Sequence, residues 1–270
     1  MQHISLTDNL RRRRFDISGP SAADELNADQ LTGVMRIKQR YDNEDLQAIR
    51  ISALLFSIDK ERMQRLTTLQ KLQLAATVEF LFEPRCKMDK WLFNSLGSGL
   101  FGPADGLENL TFGELMHADR RLDQYRETGE ERYLDELVAI LMRKRKRFLF
   151  GRHADDVRSP FKEGLITKQG RKIAKRLTLP EKAAIHFNYV ACRSRLADFF
   201  PNLFPEPDQD EPVNNPASND NWLDVAIDLA RKEHVLGNIH DIEKDNVYLV
   251  LRVLDRVIAE NKKLIKEYER

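Results

Sequence analysis

Three Thr-led helix starts, each followed by apolar residues at three-four spacing, constrain this chain more than any other feature. Thr111-Phe112-Gly113-Glu114 and Thr128-Gly129-Glu130-Glu131 both place an acid three residues after a hydroxyl. In that arrangement the Thr oxygen accepts an orphan amide and the Glu reaches back. Leu115, Met116, Leu122 and Tyr125 follow the first start, and Tyr133, Leu134, Leu137, Val138 and Leu141 the second. Each set fits one broad helical stripe. The connection at Glu127-Thr128-Gly129 is too short to separate the two helices, so an αα-hairpin is expected. Thr178-Leu179-Pro180-Glu181 opens a third helix, with Pro180 early enough that its missing amide does little harm. Ile185, Phe187, Tyr189, Val190, Cys192, Leu196 and Phe199-Phe200 continue it to Pro201.

The same habit occurs elsewhere. Leu31, Val34, Met35 and Ile37 begin a helical region, residues 46–58 extend it, and Thr68 is a candidate cap for a helix ending near Pro84. Trp222, Val225, Ala226 and Leu229 mark a helix that Gly237 would terminate. A final helix over residues 245–268 carries Val247, Tyr248, Val250, Leu251, Leu254, Val257, Ile258, Leu264 and Ile265. This stripe is too broad for a strict coiled-coil seam and should pack against the helix beginning at Trp222. The expected fold is therefore mainly α, built of packed antiparallel helical hairpins. Residues 1–28 read as a flexible N-terminal arm with one short strand near Ile4-Ser5-Leu6. Residues 29–205 read as the helical main body, 206–221 as an acidic linker and 222–270 as a C-terminal helical hairpin.

Charge is sorted along the chain although the net charge is only +1. Residues 143–176 hold 13 Lys or Arg against 3 acids, and residues 206–221 hold 5 acids and no base. Fields like these bear on partners rather than on fold. Arg143, Lys144, Arg145, Lys146 and Arg147 form an unbroken run. Arg152, Arg158, Lys162, Lys168, Arg171, Lys172, Lys175 and Arg176 extend it, the last four at roughly helical spacing. Three readings stand: a solvated helix end that suits the macrodipole or pairs with the chain's own acidic linker, a surface for an acidic protein, and a track for a nucleic-acid backbone. No finger spacing or helix-turn-helix pattern reads bases, and no aromatic interleaves with the basic residues. The candidate partner-binding residues are Arg143, Lys144, Arg145, Lys146, Arg147, Lys168, Arg171, Lys172 and Lys175.

Catalytic signals are weak by comparison. Gly97-Ser98-Gly99-Leu100-Phe101-Gly102 spells a dinucleotide-binding fingerprint, but Pro103-Ala104-Asp105-Gly106 follows where a helix should open. His234 and His240 lie near Glu233, Asp241 and Glu243, yet i,i+6 is not a same-face spacing and no third His or Cys joins them. His117 and Asp119 are two apart on a helix and face different ways. Cys86 and Cys192 have neither disulfide-framework nor metal-ligand spacing and read as reduced thiols. No stretch approaches the roughly 18–20 apolar residues that a membrane helix needs. Expected, then, is a cytoplasmic, non-enzymatic protein with no cofactor, metal or membrane, meeting an acidic protein or its own subunit, with nucleic acid as the alternative. Phe187, Tyr189, Phe199, Phe200 and Phe204 would serve core packing or a contact surface.

Four segments carry a resemblance. They are Leu110-Thr111-Phe112-Gly113-Glu114-Leu115-Met116-His117-Ala118-Asp119, Tyr125-Arg126-Glu127-Thr128-Gly129-Glu130-Glu131-Arg132-Tyr133-Leu134-Asp135-Glu136-Leu137, Lys182-Ala183-Ala184-Ile185-His186-Phe187-Asn188-Tyr189-Val190-Ala191-Cys192-Arg193 and Phe200-Pro201-Asn202-Leu203-Phe204-Pro205. Together they resemble helical proteins of Bacteroidetes phages and prophages that are encoded among tail or virion morphogenesis genes. The resemblance covers residues 30–205 and the tail helices, and implies an assembly or structural role. Its motifs are packing and capping patterns, so it carries no catalytic residue across, and the basic run and acidic gap lie outside it.

Overall fold

The computed structural model describes residues 1–8, 13–84, 86–97, 99–146, 156–205, 222, 227 and 238–268. The chain is mainly α, with two small antiparallel sheets among these residues. It divides into two compact units. The first comprises Met1–Leu92 and Thr178–Ala191, and the second Phe93–Leu177 and Cys192–Arg270. This division differs from the body and C-terminal hairpin expected from sequence, because one long helix contributes residues to both units. The expected acidic linker lies outside the described residues.

In the first unit, residues expected to be a flexible arm form a hairpin of β1 (Gln2–Asp8) and β2 (Arg13–Gly19). Ile4 pairs with Ile17 and Leu6 with Phe15, and Leu6 and Ile17 are buried. Alternation therefore extends beyond the one short strand expected, and burial of one face stabilises the pair. Helices α1 (Ala28–Arg40), α2 (Glu44–Leu55), α3 (Lys60–Arg65) and α4 (Thr68–Ala76) follow. Asn27 with Gln30 and Thr67 with Gln70 form full capping boxes, so the cap of α4 is Thr67 rather than Thr68. Leu31, Val34, Ile51, Leu55, Leu74 and Trp91 lie in the core of this unit.

The second unit carries the candidate site. Its sheet has the order β3 (Ser95–Leu96), β4 (Leu100–Phe101), β5 (Arg143–Lys144), all antiparallel. The glycine-rich stretch thus contains β4 itself and is followed by a single 3-10 turn at Asp105–Leu107 rather than a dinucleotide-binding helix. Helix α5 (Phe112–Thr128) begins at Thr111, whose hydroxyl accepts from the Glu114 amide at 3.3 Å. Thr128 does not open α6 (Glu131–Leu141). It closes α5 instead, with its hydroxyl donating to the Gln124 carbonyl. Leu134, Leu137, Val138 and Leu141 are buried, and Arg121 on α5 meets Glu136 on α6 at 2.5 Å. Helix α7 (Ile166–Ala174) lies close against α6. A Cβ on Gly170 would stand 2.9 Å from Glu136 Cγ and 3.4 Å from its Cα.

Helix α8 (Leu179–Ala197) starts as the sequence pattern requires, with Glu181 accepting from the Thr178 amide at 2.7 Å. Helices α9 (Ile239–Lys244) and α10 (Val247–Tyr268) close the described chain. Val247, Val250, Leu251 and Leu254 of α10 are buried, whereas Leu264 and Ile265 are exposed. Asp255 holds the 200–205 segment through the amides of Asn202 and Leu203, at 2.7 and 3.0 Å. Tyr248 packs near Phe199 and Phe200 and donates to the Gly106 carbonyl at 2.7 Å. Phe200 is buried and Phe199 half exposed, so that aromatic cluster divides between core and surface. Trp222 is buried edge-on against Phe112, with ring centroids 5.5 Å apart. Val225 and Leu229, its expected companions, lie outside the described residues.

Gly113 is a sensitive point, because a Cβ there would come within 2.9 Å of the Glu243 carbonyl oxygen. Backbone cannot yield as a side-chain tip does. Gly113→Ala should lower stability by about 1–3 kcal/mol, as overpacking does, read from the urea midpoint at unchanged denaturant slope.

Candidate functional site

The basic run leaves α6 as a strand, and that changes the placement of each of its described cations. Phe101 pairs with Arg143 and Leu100 with Lys144, while the Lys146 and Ser159 amides donate to the Val157 and Lys144 carbonyls. Successive residues of a strand point to opposite faces. Arg143 therefore turns inward and is buried and Lys144 faces out, while Arg145, past the end of β5, is exposed and Lys146 is half-buried. Arg143 belongs to the interior of this unit and is removed from the expected binding surface, and Arg158 of the same basic field is interior too. Arg147 lies outside the described residues.

The inward arginines meet two acids. Glu114 Oε1 pairs with Arg143 Nη1, and Glu114 Oε2 accepts from Arg158 Nη2 at 3.1 Å. Asp156 accepts from Arg158 Nε at 3.0 Å and lies 3.4 Å from Arg143 Nη2. Arg158 is wholly buried, and donates also to the Leu141 and Asn109 carbonyls at 3.1 and 3.2 Å. Burial pushes Arg143 below its ordinary pKa, opposed by Glu114. Glu114 had been expected to reach back over the helix start. With two buried guanidiniums to satisfy, it turns toward them instead.

This quartet borders a cavity of about 460 Å³ that also reaches His117, Lys146, Phe161, Glu163, Glu243 and Lys244. Its four acids balance four cations when His117 is neutral. Burial pushes His117 below its ordinary pKa, with Glu163 opposing from 3.8 Å. The ring leans on Phe161, with centroids 5.4 Å apart. The described lining contains no Ser or Cys, and the Thr111 hydroxyl is already capping α5. Asp119 points elsewhere, accepting from Arg193 Nε at 2.7 Å and Trp222 Nε1 at 3.2 Å. No group of three or more potential metal ligands occurs among the described residues. His240 is exposed and 3.6 Å from Glu243, while His234 lies outside the described residues. The arrangement is a charge-compensated scaffold that ties α5, β5 and the 156–158 segment together.

The outward cations behave differently. Ile166, Gly170 and Ile173 form the buried stripe of α7, which leaves Lys168, Arg171, Lys172 and Lys175 exposed on it and at its end. None of the four, nor Lys144 or Arg176, forms an ion pair with an acid among the described residues. Lys144, Lys172 and Arg176 share the rim of a second cavity of about 150 Å³. Its floor is Leu100, Ala139, Met142 and Ile173, all buried. Sequence spacing had grouped Arg171, Lys172, Lys175 and Arg176. Lys144 joins Lys172 and Arg176 only through sheet pairing and the α6–α7 contact.

Elsewhere, both cysteines are buried and unbridged, and burial pushes the Cys86 thiol up to about 11. Compared with known protein families, curated proteins and solved structures, the chain matches none.

Removing Glu114 would leave two buried guanidiniums short of charge. Glu114→Ala should cost about 3–5 kcal/mol in denaturant unfolding, while Arg145→Ala, at an exposed position past the end of β5, should stay within about 0.5 kcal/mol. Cys86 and Cys192 should resist a thiol reagent at pH 8 in the folded protein and react promptly in denaturant, measured by absorbance of the released chromophore.

Proposed function

We propose that this protein is a non-enzymatic interaction and assembly protein whose second unit meets an acidic protein partner through the exposed cations of α7 and β5. The observation that carries this reading is the set of cations at 144, 168, 171, 172, 175 and 176, which have no acid of their own among the described residues. Lys168, Arg171 and Lys172 stand on α7, Lys175 and Arg176 follow its end and Lys144 is on β5, and α7 is held by its contact at Gly170. Rigid placement matters because charged rims contribute mainly to encounter rate and register. The resemblance to helical proteins encoded among phage tail or virion morphogenesis genes supports an assembly setting. Buried, unbridged thiols suit a reducing compartment, so the cytoplasm is the proposed location. Among the described residues no helix is long and apolar enough to cross a membrane.

A nucleic-acid backbone is the second reading, favoured by the same cations, unpaired among the described residues. Against it, none of the described residues exposed on α7 is an aromatic on which a base could stack. Labelled polyglutamate, a DNA duplex and a single strand, each titrated across a salt series, should separate the two. Polyglutamate is expected to bind more tightly than either DNA at matched salt. Tighter DNA binding, with log affinity falling steeply against log salt, would establish the alternative. No binding of any probe at low salt would sink both. Lys168→Glu with Arg171→Glu should weaken polyglutamate binding by about tenfold or more, with an unchanged urea midpoint.

A further inference from the structure

The small cavity beside α7 has a shape that the charge argument does not use. Four buried side chains, Leu100, Ala139, Met142 and Ile173, make an apolar floor, and Lys144, Lys172 and Arg176 stand at its mouth. Its volume is about 150 Å³, the size at which an aliphatic-lined protein cavity takes up a benzene ring. A mouth made only for solvated charge would not need such a floor. A floor made only for core packing would not be ringed by three cations that have no acid partner among the described residues.

We infer that this cavity is an anchor pocket for a single Phe side chain of an acidic partner segment, with the flanking carboxylates meeting Lys144, Lys172 and Arg176. This rests on the proposed acidic-partner reading and deepens it, by naming the feature of the partner that would give specificity. The two parts divide the work physically. Carboxylates facing the rim steer and orient the segment. The ring supplies the desolvated contact that a few residues at the centre of an interface usually provide. Lys172 sits in the last turn of α7 and Arg176 two residues beyond its end, and both reach the cavity. Lys144 approaches from the strand, which brackets the ring from both elements. Gln169 and Ser159 at the same cavity can take polar atoms of the segment's backbone.

The test uses the full chain and two labelled peptides of Asp and Glu, one with a single central Phe and the other with Ala in its place. By fluorescence anisotropy the Phe peptide should bind about ten- to a hundredfold more tightly, the scale set by burying one aromatic side chain. Ala139→Leu fills the floor, and should bring the Phe peptide to the affinity of the Ala peptide while leaving the latter unchanged. Lys172→Glu with Arg176→Glu should weaken both peptides together. In case the filled variant folds poorly, the ¹³C methyl resonance of Met142 in the unmodified protein provides a second readout. It should shift on adding the Phe peptide and not the Ala peptide. Equal binding of the two peptides to the unmodified protein would overturn the anchor pocket and leave the acidic-partner reading standing. A Phe peptide that binds more tightly without moving Met142 would also overturn it, by placing the ring elsewhere. If neither peptide binds at low salt, the acidic-partner reading fails as well.

Discussion

The buried meeting of Glu114 with Arg143 and Arg158, completed by Asp156, is the interaction on which the second unit depends. Taking two guanidiniums and a carboxylate out of water is expensive. It is tolerated only where charges are matched and the remaining donors find acceptors. Arg158 meets that condition, with carboxylates on two sides and the Leu141 and Asn109 carbonyls on others. Arg143 meets it less completely, because its Nε has no acceptor among the described residues. Such a network contributes less net stability than an apolar core of equal volume, yet its members must all be present. Its structural consequence is register: β5 can pair with β4 only in the alignment that delivers Arg143 to Glu114.

Register then decides what the surface presents. With Arg143 inward, Lys144 faces out and reaches the mouth of the small cavity. A shift of one residue would exchange the faces of every side chain on the strand. Gly170 does comparable work for α7, because the close approach to Glu136 brings Lys172 and Arg176 to the same mouth. The basic surface is thus assembled from a strand end and a helix face that a buried ion network and a helix–helix contact hold in place.

The two cavities illustrate opposite uses of charge. Around the larger one, acids and cations balance, and His117 is kept toward its neutral form by burial. A balanced lining has little net field with which to attract an ion, and it holds neighbouring elements together. Around the smaller one, cations stand without acids among the described residues, over an apolar floor. Unbalanced charge at a rim is what a partner can complete, which is why the functional reading rests on that side of α7.

Helix existence was legible in the sequence, because capping chemistry and three-four spacing act within a few residues. Thr111, Thr178 and the stripes at Leu134–Leu141 and Val247–Leu254 all lie where that local logic puts them. Strand structure was less legible. The hairpin of β1 and β2 joins residues whose pairing depends on a partner segment, and β5 follows an apolar helix so closely that its cations resembled a helix end. The charge excess of residues 143–176 could be counted, but not sorted. Whether an arginine is solvated or buried depends on Glu114, 29 positions before Arg143 and 44 before Arg158, and such separations leave no periodic trace. Sequence by itself determined the helical class, the helix starts and the presence of a basic field, since each is set by near neighbours or by composition. Only tertiary structure decided which cations face water, which hold the interior together, and that three of them ring an apolar cavity. Burial and pairing are properties of residues brought together by folding, not of their order along the chain.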